Sequence, residues 1–188
     1  MAIVGTTGAG KSTVLKAIYR GMEINKGKII IDSENISKLN RYKIPKIRQK
    51  IGMIFQDFKL LNNRTVLENV ALPLRIMGLP TEVIYNKVND TLSKVGLKKM
   101  YNSYPLELSG GEQQRVCIAR ALVKNPKIIL ADEPTGNLDP NVSDEILDLL
   151  DLFTDSGAAV LMSTHNFPLI KPRKKRFIEI TLEFFIMC

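Results

Sequence analysis

The sequence predicts an α/β fold built on a mostly parallel sheet. Three observations predict it. Gly5-Thr6-Thr7-Gly8-Ala9-Gly10-Lys11-Ser12 follows a short apolar strand and opens a helix, the setting that a phosphate-binding loop requires. Ile128-Ile129-Leu130-Ala131 is apolar throughout and ends in Asp132-Glu133, as a strand covered on both faces does. Strand-like and helix-like segments alternate along the rest of the chain, the order expected of crossover connections.

Each element has its own signal. Ala2-Ile3-Val4 is a short strand, and a helix runs from about Lys11 to Arg20. Lys28 to Asp32 reads as a strand, Ile44-Pro45 opens a short basic helical turn, and Ile51 to Gln56 reads as another strand. Thr65 to Met77 has helical spacing, with Pro73 expected to kink it. Pro80 and Thr81 start a helix that stops at Gly96. Ser109 is a good N-cap for a helix through Arg115, Ile118 and Leu122. Lys127 to Asp132 is a buried strand, Pro140 to Phe153 a helix with an acidic wet face, and Ala158 to Ser163 a further buried strand. Lys175 to Thr181 reads as the last strand.

At 188 residues the chain is one domain by size, 1–188, with a helical insert at about 65–125. Hydrophobic residues make up 45% and mean hydropathy is −0.01, which suits a globular protein. No apolar run is long enough to span a bilayer, and no signal peptide opens the chain. Two cysteines, Cys117 and Cys188, make no disulfide framework, so a reducing compartment is expected. Cys117, inside Val116-Cys117-Ile118-Ala119, reads as a small buried residue. The net charge of +8 is concentrated at 41–50 (RYKIPKIRQK) and 171–176 (KPRKKR). Such clusters are commonly solvated surface, and otherwise face anionic lipid or an acidic partner. No basic stretch is interleaved with aromatics and no nucleic-acid module is present, so nucleic acid is not an expected partner.

The chemistry follows from the two motifs. Glycines let the amides of Gly5, Thr6, Thr7, Gly8, Ala9 and Gly10 converge on phosphate oxygens, and the helix end behind them adds partial positive charge. Lys11 reaches the β and γ phosphates, Ser12 offers its hydroxyl to Mg²⁺, and Thr13 is placed for the α phosphate. Adjacent strand residues point to opposite sides, so Asp132 and Glu133 can hold separate roles. Asp132 suits the Mg²⁺ shell, and Glu133 suits polarisation of an attacking water.

The glycine loop, Leu108-Ser109-Gly110-Gly111-Glu112-Gln113-Gln114, the strand into Asp132-Glu133-Pro134 and Asn137-Leu138-Asp139 occur in that order. Together they resemble the ATP-binding subunits of ABC transporters, over nearly the whole chain. The resemblance implies a P-loop NTPase fold with a helical signature subdomain, ATP and Mg²⁺ as ligands, and ATP hydrolysis. It implies that Gln56 enters the metal shell and links the nucleotide site to a membrane partner, and that His165, the single histidine, contacts the γ phosphate. It also implies a homodimer. Ser109, Gly110 and Gly111 of one copy would close over the nucleotide of the other, and Asp139 would sit at the seam. Glu133, His165, Gln56 and Lys11 are then the catalytic set. Asp57 after Gln56, Glu112 in the signature and Asn166 after His165 look like the cell-division branch of the family, peripheral at the cytoplasmic face of the membrane beside a permease-like protein. The branches for lipoprotein release and macrolide export share the run from Ala131 to Asp139.

The chain departs from the family pattern at both ends. The N-terminal antiparallel segment, which carries an adenine-stacking aromatic, is missing, so a short central strand and weaker base binding are expected. Thr181 to Cys188 (TLEFFIMC) is apolar where the family continues with a turn and helices, so a fragment or an incomplete gene model is expected. A nucleotide-dependent scaffold that hardly turns over is therefore the competing function.

Overall fold

The computed structural model describes residues 1–155 and 157–181. The expected exposed apolar tail from Leu182 onward lies outside them. Their strands are β1 (Ala2–Val4), β2 (Ile30–Ile31), β3 (Glu34–Asn35), β4 (Ile51–Ile54), β5 (Ile128–Asp132), β6 (Ala159–Thr164) and β7 (Phe177–Glu179). Their helices are α1 (Lys11–Ile18), α2 (Ile44–Gln49), α3 (Val66–Ile76), α4 (Thr81–Lys94), α5 (Gly110–Leu122), α6 (Pro140–Asp155) and the short α7 (Phe167–Ile170).

Five strands form one sheet in the order β4-β5-β6-β1-β7, and every pairing is parallel. The sheet separates two apolar layers, and successive residues alternate between them. Ile129 and Ala131 of β5 face the cluster formed with α3, α4, α5 and α6, and Leu130 faces the cluster formed with α1 and α2. Ala2 and Val4 of β1 follow the first pattern and Ile3 the second. β1 is as short as expected, but β6 and β7 flank it on both sides. α1 is an eight-residue helix, too short to stand alone in water. Leu15, fully buried beneath the sheet, anchors it, and burial of such a side chain contributes about 2–3 kcal/mol.

The segment from Lys28 to Asp32 differs from expectation. Only Ile30–Ile31 is strand, and it pairs antiparallel with β3 in a separate hairpin. Asp32 and Ser33 both have positive φ, 53° and 63°, the backbone that a two-residue hairpin turn demands. Neither residue is the glycine or asparagine that usually signals such a turn, which is why the sequence reads as one longer strand. α3 starts on a full capping box, Thr65 with Glu68, and continues through Pro73. α4 ends one residue before Val95, and Gly96 takes φ 77° as a helix-stopping glycine does.

The wet face of α6 is tied down. Arg173 Nη1 donates to Asp148 Oδ1 at 2.7 Å and Asp151 Oδ2 at 3.1 Å, and Nη2 donates to Asp144 Oδ1 at 3.1 Å. Lys175 adds an ion pair to Asp151 at 3.1 Å. These bonds seat the segment that leads into β7, whose own three residues are exposed. Arg173→Ala should lower stability by about 1–2 kcal/mol, read as the urea midpoint. The loss should shrink in molar salt, because the carboxylates lie near solvent.

Candidate functional site

The carboxyl ends of β1, β5 and β6 bring the site together. The loop after β1 bends through Gly5, Gly8 and Gly10, with φ of 152°, 86° and 97°. A Cβ at Gly5 would collide with the carbonyl oxygen of Ile180, so the loop can pass only as glycine there. Gly10 is the N-cap of α1 and offers no side chain to its amides. The first-turn amides of α1 therefore look for acceptors outside the helix. Thr13 is exposed on that first turn.

Lys11 is 5% exposed and folds back over the loop. Its Nζ donates to the carbonyls of Gly5 at 2.8 Å and Thr6 at 3.0 Å, and lies 3.5 Å from Glu133 Oε1. Ser12 Oγ donates to Asp132 Oδ1 at 2.7 Å. Thus the glycine loop and the carboxylate pair, read separately from sequence, touch at two points.

Asp132 ends β5 and Glu133 lies just past it in a left-handed conformation, so their separate partners come from this turn and not from strand alternation. Glu133 is 8% exposed and sits at φ 45°, a costly conformation for a residue with a Cβ. Its amide is held by the carbonyl and the hydroxyl of Ser163, both at 3.1 Å. Its Oε2 accepts from the His165 amide at 3.2 Å and lies 2.9 Å from His165 Nδ1. The carboxylate is thereby aimed between Lys11 and His165. A cleft of about 140 Å³ beside it is lined by Glu133, Gly136, Thr164 and His165.

Ser163 was not among the residues the sequence singled out. Its hydroxyl donates to Asp132 Oδ1 at 2.7 Å, so it holds both acidic residues. The register pairs Asp132 with Ser163, and the signal available in sequence was a polar residue inside an apolar strand.

Gln56 is exposed just past β4, and a Cβ placed on Gly136 would stand 3.8 Å from its Nε2. The loop behind it is strained. Phe58 and Lys59 are consecutive left-handed residues, φ 58° and 50°. Arg120 of α5 donates to both of their carbonyls at 2.6 Å, and the Cys117 thiol donates to Phe58 O at 3.1 Å. Buried Asn69 closes the far end, taking the Leu61 amide at 2.8 Å and donating to the carbonyls of Leu61, Arg64 and Thr65. Burial pushes the Cys117 thiol up to about 12. It is the inert buried cysteine that its neighbours implied.

Ser109 caps α5 as expected. Its Oγ accepts from the Glu112 amide at 3.4 Å and donates to Glu112 Oε2 at 2.7 Å. The Ser109 hydroxyl and amide hold the Glu112 carboxyl below the usual range. Gly111 has no room for a side chain, because a Cβ would stand 2.7 Å from Val142 Cγ1. Ser109 and Gly110 are exposed, and among the described residues no hydrogen bond or ion pair joins them to the glycine loop. Asp139 caps α6, with Oδ1 accepting from the amides of Asn141 and Val142 at 3.1 Å each. That structural duty was not anticipated. The carboxyl group is nonetheless exposed.

Comparison with known proteins gives this site a context. Residues 1–136 match the family described as ABC transporter. The cell division ATP-binding protein FtsE of Bacillus subtilis (strain 168) is 47% identical over 178 residues, 95% of this chain and 78% of that protein. The protein of the same name from Escherichia coli (strain K12) is 47% identical over 179 residues, 95% of this chain and 81% of its own. Among solved structures, the dimeric bacterial ABC transporter cassette MJ0796 superimposes with a TM-score of 0.85 at 38% identity, covering 95% of this chain and 79% of that one. A second structure of that cassette, also with a TM-score of 0.85, is a dimeric post-hydrolysis state bound to ADP and Pi.

With Cys188 replaced by serine, Cys117 should resist a thiol reagent in the native protein and react only on unfolding. Arg120→Ala should loosen the loop over Sγ and raise the native labelling rate at least tenfold, measured by stopped labelling and mass.

Proposed function

The chain belongs to the ABC transporter family, and from that premise we propose that it is the ATP-binding, ATP-hydrolysing subunit of a membrane complex of the FtsE type. The observation that carries this is the contact of Ser12 with Asp132 at 2.7 Å, beside Lys11 and Glu133. A triphosphate laid along the glycine loop would meet the amides of α1 and displace Lys11 from the Gly5 and Thr6 carbonyls onto its β and γ oxygens.

Mg²⁺ fits the residues present. Ser12 and Asp132 are hard oxygen donors already in contact, and Gln56 is the third candidate. Among the described residues no group of three or more His, Cys, Asp or Glu is placed to hold a metal ion, and a cation shared with phosphates needs none. The ion would supply charge neutralisation on the phosphate oxygens. Glu133 would take the proton of an attacking water, aimed by the Ser163 bonds to its amide. His165, through Nδ1, would hold that carboxylate and contact the γ phosphate.

The exposed Ser109–Gly110 tip is separate from the chain's own glycine loop. We take it to complete the pocket of a second copy, with Gly111 packed beneath it and Asp139 close to the seam. ATP then holds two copies together, and loss of the γ phosphate releases them. This is the differential binding that a ligand switch needs. The homodimer would act at the cytoplasmic face of the membrane on an integral partner of the FtsX kind, with no nucleic acid involved. No helix among the described residues is long and apolar enough to cross a membrane.

Glu133→Gln should cut phosphate release at least a hundredfold while ATP binding persists, and should trap an ATP-dependent dimer on size exclusion. Lys11→Ala should lose ATP affinity itself. Turnover by Glu133→Gln at the parent rate would sink this assignment. A parent chain that binds ATP without releasing phosphate would favour the scaffold function instead.

A further inference from the structure

A cationic concavity lies at the other end of α1, away from the glycine loop. It has a volume of about 430 Å³ and is lined by Arg20, Arg41 and Arg48 with a single carboxylate, Glu23. Among the described residues no carboxylate lies within ion-pair distance of any of the three arginines. The sequence around it is basic without relief. Between Ile36 and Ile51 stand Lys38, Arg41, Lys43, Lys46, Arg48 and Lys50, and no Asp or Glu.

Two of the arginines are built into place. Arg48 donates from Nε to Tyr19 O at 3.2 Å and from Nη2 to Arg20 O at 3.0 Å, and its guanidinium lies 4.6 Å from the Tyr19 ring centroid. It is therefore oriented before any ligand arrives. Arg20 occupies the position just beyond the α1 cap, where glycine is the usual residue, at φ 55°. Its Nε is buried without a partner, and only Nη1 finds an acceptor, Met22 O at 3.4 Å. An arginine that adopts a glycine conformation and leaves a buried donor unpaired is costly for the fold alone. Arg20 and Arg48 both line the concavity, so an anion there would meet two guanidinium groups.

The remaining wall is apolar: Leu39, Ile44 and Pro45 line it, and Met22 is 41% exposed at the rim. Tyr42, next to Arg41, is 91% exposed. Guanidinium groups beside exposed aromatic and aliphatic groups match an amphiphile better than a free ion. We propose that this concavity seats the phosphate of an anionic membrane phospholipid, so that the subunit contacts the bilayer directly, apart from any protein partner. The lysines around the pocket add attraction to the same surface.

The test is co-flotation of the full chain, without nucleotide, with vesicles of phosphatidylglycerol and phosphatidylcholine or of phosphatidylcholine alone. Binding should need the anionic lipid. The double variant Arg20→Gly, Arg41→Gln should lower the partition coefficient roughly tenfold, whereas Lys98→Gln, Lys99→Gln, of equal charge, should lower it far less. Arg20→Gly relieves the φ strain, so its thermal midpoint should not fall, and misfolding cannot mimic the effect. Equal losses in the two double variants would overturn the proposal, because charge alone would then explain binding. So would binding of inorganic phosphate without vesicle binding, which would make the site one for a free anion. Absence of vesicle binding altogether, with ATP turnover intact, would also overturn it and leave the proposed function standing.

Discussion

The hydrogen bond from Ser12 to Asp132 joins residues 120 positions apart, and the site depends on it. It forms because β6 lies between β5 and β1 in a parallel sheet, so three strand ends open on one edge. The start of α1, the two carboxylates and His165 then share one crevice, the place where open α/β sheets bind ligands. Any other strand order would leave the same residues in the chain and no site. Ser163 sits on the middle strand and bonds to both neighbours of the crevice, which makes the register between β5 and β6 part of the chemistry.

Backbone strain is placed where the molecule can hold it. Glu133, Phe58 and Lys59 all adopt left-handed conformations without being glycine. Each is over-determined by side chains from other elements: Ser163 for Glu133, and Arg120 with Cys117 for the loop behind Gln56. Arg120 belongs to the helix that Ser109 caps. The signature helix therefore grips the loop that follows Gln56, and a shift of one is felt by the other through two short charge-assisted bonds. Arg20 differs from these three, since its strain is not matched by a full set of partners.

The electrostatic layout has two poles along α1. At its start, backbone amides and Lys11 face two carboxylates whose positions are fixed. At its end, arginines gather with almost no acidic counterweight. An element of eight residues thus carries carboxylates beside one end and unpaired arginines beside the other.

Much of this was legible in the amino-acid order. Turn glycines, apolar strands and helix caps act over a few residues, so the glycine loop, β5 and the Ser109 cap could be placed from local rules. Period-two geometry suggested different sides for Asp132 and Glu133, but the left-handed turn at Glu133 separates them. The hairpin at 30–35 escaped because its turn uses Asp32 and Ser33 where glycine or asparagine is the usual signal. Ser163, the Arg120 clamp on the Gln56 loop, the capping duty of Asp139 and the pocket of Arg20, Arg41 and Arg48 required the tertiary structure. Each joins residues from separate elements, and only packing decides which distant side chain meets an unsatisfied backbone group or an unpaired charge.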